Sequence, residues 1–112
     1  MRSILALGVA IALALMLAGC SSTPTDTSAT GNAVTISDFA FKPDVLTVKV
    51  GTTVTWTNKD STGHDVKWDD GAPGSETLST GQSYTRTFAT AGTFTYICGI
   101  HASMKGKITV TP

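Results

Sequence analysis

The stretch AGTFTYICGIHASMKGKITV, residues 91–110, decides how this chain folds and what it holds. Its first half alternates, with Phe94, Tyr96 and Cys98 on one side of an extended strand. Its last residues do the same, with Ile108 and Val110 sharing a face. Between the two halves, Cys98, His101 and Met104 stand three residues apart on a glycine-flanked loop. Packing gives no reason to space a thiol, an imidazole and a thioether in that way.

The upstream sequence has the same character. VLTVKV (45–50), TTVTWTN (52–58), HDVKW (64–68) and QSYTRTF (82–88) are short runs rich in β-branched and aromatic residues. AVTISDFAF (33–41) alternates, with Val34 and Ile36 on one face. The turn formers KPD, NKDSTG, DDGAPG and TAG separate the runs, and no stretch sustains a 3.6-residue period. This pattern predicts one all-β domain over 34–112, a β-sandwich. Asp69 to Gly81 is expected to be a loop, with an edge strand near Ser75 to Leu78.

The first residues read differently. Arg2 is followed by an apolar and small-residue run, Ile4 to Leu17, and then by LAGC. A basic start, an apolar centre and a small-residue end describe a secretory signal, expected over 1–19. The run is short for a spanning helix, which needs about 20 apolar residues. LAGC also resembles the lipobox of bacterial lipoproteins, which implies that Cys20 becomes the lipid-modified first residue. Acyl chains bind a membrane with about 0.8 kcal/mol per buried methylene. The expectation is an exported protein, lipid-anchored on the periplasmic or extracellular face. Residues 20–33, Ser/Thr-rich and without a large apolar side chain, are expected to be a flexible tether.

Charge adds little. Eight Lys+Arg face eight Asp+Glu, and loss of Arg2 with the signal leaves seven against eight, a formal −1. No basic stripe suggests nucleic acid.

The chain has two cysteines. With Cys20 assigned to lipid, Cys98 is left alone in an oxidising compartment, which calls for a reactive thiol, an intermolecular bond or a metal. Trp56 followed by YIC mimics an immunoglobulin-like sandwich, but that fold places a partner cysteine before the tryptophan, and none is there. A nucleophile–base pair of Cys98 and His101 lacks an evident orienting group and leaves Met104 unused. A metal uses all three. Thiolate and thioether are soft ligands, imidazole suits copper and zinc, and a His₂Cys set with a weak axial Met is the blue-copper arrangement. One more histidine is required, and the sequence has one more, His64. The candidate ligands are therefore His64, Cys98, His101 and Met104.

VTWTNKDSTGHDV together with AGTFTYICGIHASMKGKITV resembles the plastocyanin/amicyanin family of cupredoxins. The short gap between His101 and Met104 looks most like amicyanin. The resemblance runs from about Val34 to Thr111. It implies a Greek-key sandwich, one type 1 copper ion and shuttling of single electrons between redox proteins that dock near His101. Ile100, Ala102 and Phe41 are the candidates for the apolar rim of that docking surface. Two residues depart from the family's pattern. Asp65 stands where Asn is common, and its charge is expected to lower the reduction potential if it faces the site. Ile100 stands where Pro is common, and its amide is expected to donate to the Cys98 thiolate, so that Ile100→Pro would lower the potential.

The ligand set as inferred is full, so electron carriage is expected rather than catalysis. The alternative is a copper buffer or chaperone on the membrane surface without a redox role. The absence of Met- or His-rich tracts argues against it.

Overall fold

A computed structural model describes residues 29–112; the expected signal, the lipid-bearing Cys20 and residues 20–28 of the expected tether lie outside them. Nine strands follow in order: β1 (Ala29–Thr30), β2 (Ala33–Ser37), β3 (Ala40–Lys42), β4 (Val45–Lys49), β5 (Thr53–Asn58), β6 (Lys67–Trp68), β7 (Ser83–Thr87), β8 (Gly92–Cys98) and β9 (His101–Thr111). They form two sheets, β1-β4-β9-β8-β6 and β3-β2-β5-β7. The architecture is the all-β sandwich that the alternation predicts.

Buried and outward positions alternate along β2, β4 and β5, so each strand gives one face to the interior. Val34, Ile36, Leu46, Val54, Trp56 and Ile108 are fully buried there. Each such aliphatic side chain contributes about 1.5–3 kcal/mol when removed from water. The pairings are largely non-local: β2 runs parallel to β5, and β4 parallel to β9. A cluster of rings fills the centre, with Tyr96 against Phe41 at 4.7 Å, Trp68 at 4.9 Å and Trp56 at 5.6 Å between centroids. Burial pushes the Tyr96 phenol above its ordinary pKa.

Two boundaries differ from the sequence expectation. Ala29 and Thr30 pair in parallel with Leu46 and Thr47, so the stretch read as tether up to Ala33 contributes an edge strand. Threonine suits a strand and alanine does not, so the neighbouring strand supplies the pairing that local composition does not announce. AVTISDFAF is two strands, not one. Ser37 pairs with Ala40, and Asp38 and Phe39 form a two-residue turn with φ of 53° and 55°. Positive φ at both positions is the I′ hairpin geometry, here built without the usual Asn or Gly. The 69–81 segment is a loop, and its Leu78 makes an isolated antiparallel bridge with His64.

Candidate metal centre

Cys98 ends β8 and is fully buried. Gly99 and Ile100 turn the chain, and His101 pairs back with Cys98. The register then jumps: the next pair is Ile97 with Lys105, so one strand advances by one residue while the other advances by four. Ala102, Ser103 and Met104 are the surplus, a bulge of the kind that re-aims side chains next to functional sites. Met104 is buried on it, three residues after His101.

His64 arrives from the opposite sheet's loop. Its backbone donates to the Leu78 carbonyl at 3.2 Å and accepts from the Leu78 amide at 2.7 Å. Asn58, at the buried end of β5, stiffens that loop by donating to the Thr62 and Leu78 carbonyls at 2.9 and 2.8 Å. It also accepts the Asp60 amide at 2.9 Å. Asp60 in turn places a carboxylate oxygen 2.8 Å from His64 Nε2. The Phe39 amide holds the Asp60 carboxyl below the usual carboxylate range, with burial opposing. An ionised carboxylate only accepts, so Nε2 is the ring nitrogen that holds a proton toward it, and the tautomer this selects for the neutral imidazole keeps its lone pair on Nδ1.

That lone pair meets the other donors. His64 Nδ1 lies 3.2 Å from His101 Nδ1, and Cys98 Sγ lies 3.8 and 3.7 Å from the two nitrogens. The three atoms all lie within 4.8 Å of one another. Metal bonds of about 2.0–2.1 Å to nitrogen and about 2.3 Å to sulfur, opened to tetrahedral or trigonal angles, give N–N separations of about 3.4 Å and N–S separations of about 3.7 Å. The observed triangle therefore fits one ion. A neutral nitrogen pair, a thiolate and a thioether form the soft, mixed set that suits copper.

The residues around the donors are partly where the sequence suggests. The amide that reaches the Cys98 sulfur, among the described residues, is that of Asp65 at 3.4 Å. Ile100 does not take that role: it sits at the tip of the turn with its side chain half exposed. The Asp65 carboxylate accepts the Gly99 N–H, and a Cβ at Gly99 would lie 3.1 Å from both its oxygens. Asp65 thus ties the loop of His64 to the hairpin of Cys98. Phe41 is corrected: it is buried against Tyr96, on the inward face of β3. Phe39 takes the place at the rim. It is 53% exposed, and its ring meets those of His64 and His101 edge to face, at 5.1 and 5.2 Å. Sequence reading missed both Phe39 and Asp60: Phe39 lies within the stretch read as one alternating strand, and Asp60 within a run of turn formers.

A two-sheet sandwich with a Cys, two His and a Met gathered at one end defines a class, and sequence comparison agrees. The model of the cupredoxin-like domain matches residues 9–110, and this chain belongs to that family. It is 34% identical over 111 residues to amicyanin-alpha of Methylorubrum extorquens, covering 94% of this chain and 92% of that protein. It is 40% identical over 83 residues to plastocyanin of Scenedesmus fuscus, covering 62% and 85%. Among solved structures, a reduced amicyanin mutant superposes with a TM-score of 0.66 at 34% identity, covering 70% of this chain and 79% of that one. Family and donor set together define the cofactor as one type 1 copper ion.

Proposed function

We propose that His64 Nδ1, Cys98 Sγ, His101 Nδ1 and the Met104 thioether hold this copper ion, and that the protein carries single electrons between redox proteins outside the cytoplasm. The observation that carries the reading is the triangle of His64, Cys98 and His101 atoms, gathered from the β5–β6 connection and the β8–β9 hairpin. Bound copper supplies a one-electron couple between its cuprous and cupric forms. The chain's part is to keep the donors in place in both forms. The Leu78 bridge fixes His64, and the hairpin pairing fixes His101 relative to Cys98. The Asp65 amide donates to the sulfur and withdraws electron density from it. Four protein donors leave no position for a substrate, which favours carriage over catalysis. Phe39 and Ile100, 53% and 52% exposed, give the rim an apolar surface suited to brief docking.

The membrane part of the reading rests on Arg2, the apolar run and LAGC: a signal over 1–19, a lipid on Cys20 and a tether reaching from it to the sandwich. Detergent phase partitioning of the native protein against Cys20→Ala tests it. Equal partitioning into the aqueous phase rules the anchor out.

The copper reading is tested by adding copper(II) to the purified metal-free protein. The expected result is an intense thiolate charge-transfer band in the visible and narrow copper hyperfine splitting, both lost in Cys98→Ala. A Cys98→Ala variant that takes up copper and keeps the same colour overturns it.

A further inference from the structure

Asp60 makes more contacts at this end of the sandwich than any ligand role requires. One oxygen accepts the Asp38 amide at 2.8 Å. The other accepts the Phe39 amide at 3.0 Å and the His64 Nε2–H at 2.8 Å. Its own amide donates to Asn58, and its carbonyl accepts the Thr80 hydroxyl at 2.5 Å. The side chain is held from every direction, and only 15% of it is exposed.

The turn it grips is costly by itself. Asp38 and Phe39 both have positive φ, and neither is a glycine. Their two amides converge on one carboxylate, which accounts for a left-handed turn in a sequence without a turn signal. The product of that turn is the position of Phe39, whose ring stands against both His64 and His101.

We propose that Asp60 is the positioning residue of this centre: one carboxylate sets the tautomer of His64 and seats the Phe39 ring over both histidines. The inference rests on the copper reading for its consequences at the metal, but its geometry belongs to the protein alone. With Nε2–H committed to Asp60, His64 presents the Nδ1 lone pair toward Cys98 Sγ and His101 Nδ1 before any ion arrives. Charge behind the imidazole strengthens it as a donor, and loss of such a partner weakens metal affinity about 10–100-fold.

The test has a metal-free arm and a copper arm. In the metal-free protein, nitrogen-15 NMR of the imidazoles is expected to show His64 as a single Nε2–H tautomer. Cross-relaxation is expected between the Phe39 ring and both histidine rings. Asp60→Ala should mix the His64 tautomers and abolish the Phe39 cross-peaks. Asp60→Asn carries the test if the alanine variant does not fold. Its amide oxygen still accepts from His64, but its NH₂ cannot accept a turn amide, so the tautomer should persist while the cross-peaks weaken. On copper, the affinity loss in Asp60→Ala should reach 10–100-fold, the range given above, and Asp60→Asn should raise the reduction potential. A pure His64 tautomer with intact Phe39 cross-peaks in Asp60→Ala overturns the proposal. So do cross-peaks of full intensity in Asp60→Asn. If the parent protein takes up no copper, the copper reading fails, and the metal-free arm still decides the role of Asp60.

Discussion

His64 has no exposed surface; its backbone is bonded both ways to Leu78 and its ring to Asp60. His101 offers the same nitrogen to the same point from the end of a two-residue turn. Its ring is half-buried and has the site atoms and the Phe39 ring for neighbours. One ligand belongs to the scaffold and the other to the surface. A carrier needs both. Donors that stay put as the ion changes charge keep the reorganisation small, and a ligand ring at the rim gives the electron a short way out. On the proposed function, these tasks fall to different histidines, the buried His64 and the half-buried His101.

Alanine at the two positions separates them most. In the metal-free protein, His64→Ala should cost about 3 kcal/mol, because it empties a fully buried site and removes one of the three donors to the Asp60 carboxylate. His101→Ala should cost less than about 1 kcal/mol. Urea unfolding of the two variants measures the difference. Equal losses mean that His64 is no more part of the scaffold than His101.

A second test bears on what the hairpin stands on. A Cβ at Gly106 would lie 2.2 Å from Cζ of Tyr96, whose ring is backed by Trp56, Trp68 and Phe41. Because the ring cannot slide, Gly106→Ala should cost about 1–3 kcal/mol. Tyr96 precedes Cys98 by two residues on β8, so amide shifts should be larger at Gly99 and His101 than at His64. Larger shifts at His64 would tie the two walls more closely than the hydrogen bonds suggest.

Much of this is legible in the sequence. Alternation places Val54 and Trp56, and Ile108 and Val110, on inward faces, and they are buried. The donors stand out because they are chemically unusual and few. Phe39 and Asp60 stayed hidden for a definite reason. Alternation carries through ISDFAF only if the strand continues, and the turn at Asp38–Phe39 resets the phase, leaving Phe41 inside and Phe39 outside. What stabilises that turn is a carboxylate 22 and 21 residues away. A local pattern cannot report a partner that only the fold supplies. The Asp in NKDSTG therefore passes for an ordinary turn residue. Ile100 illustrates the converse. The loop sequence suggests its amide for the sulfur, but the donor is the amide of Asp65 on the facing loop.

Asp65 joins the two walls, its amide on the Cys98 sulfur and its carboxylate on the Gly99 amide. A negative charge there stabilises the cupric form. Asp65→Asn keeps an acceptor for Gly99 and removes the charge, so the potential should rise by about 40 mV, the one-electron equivalent of about 1 kcal/mol. The rise should shrink in high salt. Voltammetry at two ionic strengths checks it; a fall would mean that the carboxylate acts through loop geometry rather than charge.

The smallest effect on the fold should come at the rim. Ile100 is 52% exposed beside the metal end, and Val50, 41% exposed, lies at the other end of the sandwich, bonded to Thr111 where β9 finishes. Both are exposed apolar side chains, so Glu at either should change stability by less than about 0.5 kcal/mol. Only Ile100→Glu places like charges against each other when two molecules meet rim to rim. Electron self-exchange, followed by NMR line broadening in mixed redox states, should slow about tenfold at low salt and recover as salt is added. Val50→Glu should leave it unchanged. If both variants slow exchange alike, the electron does not leave through the His101 side, and the division of labour between the histidines loses its purpose.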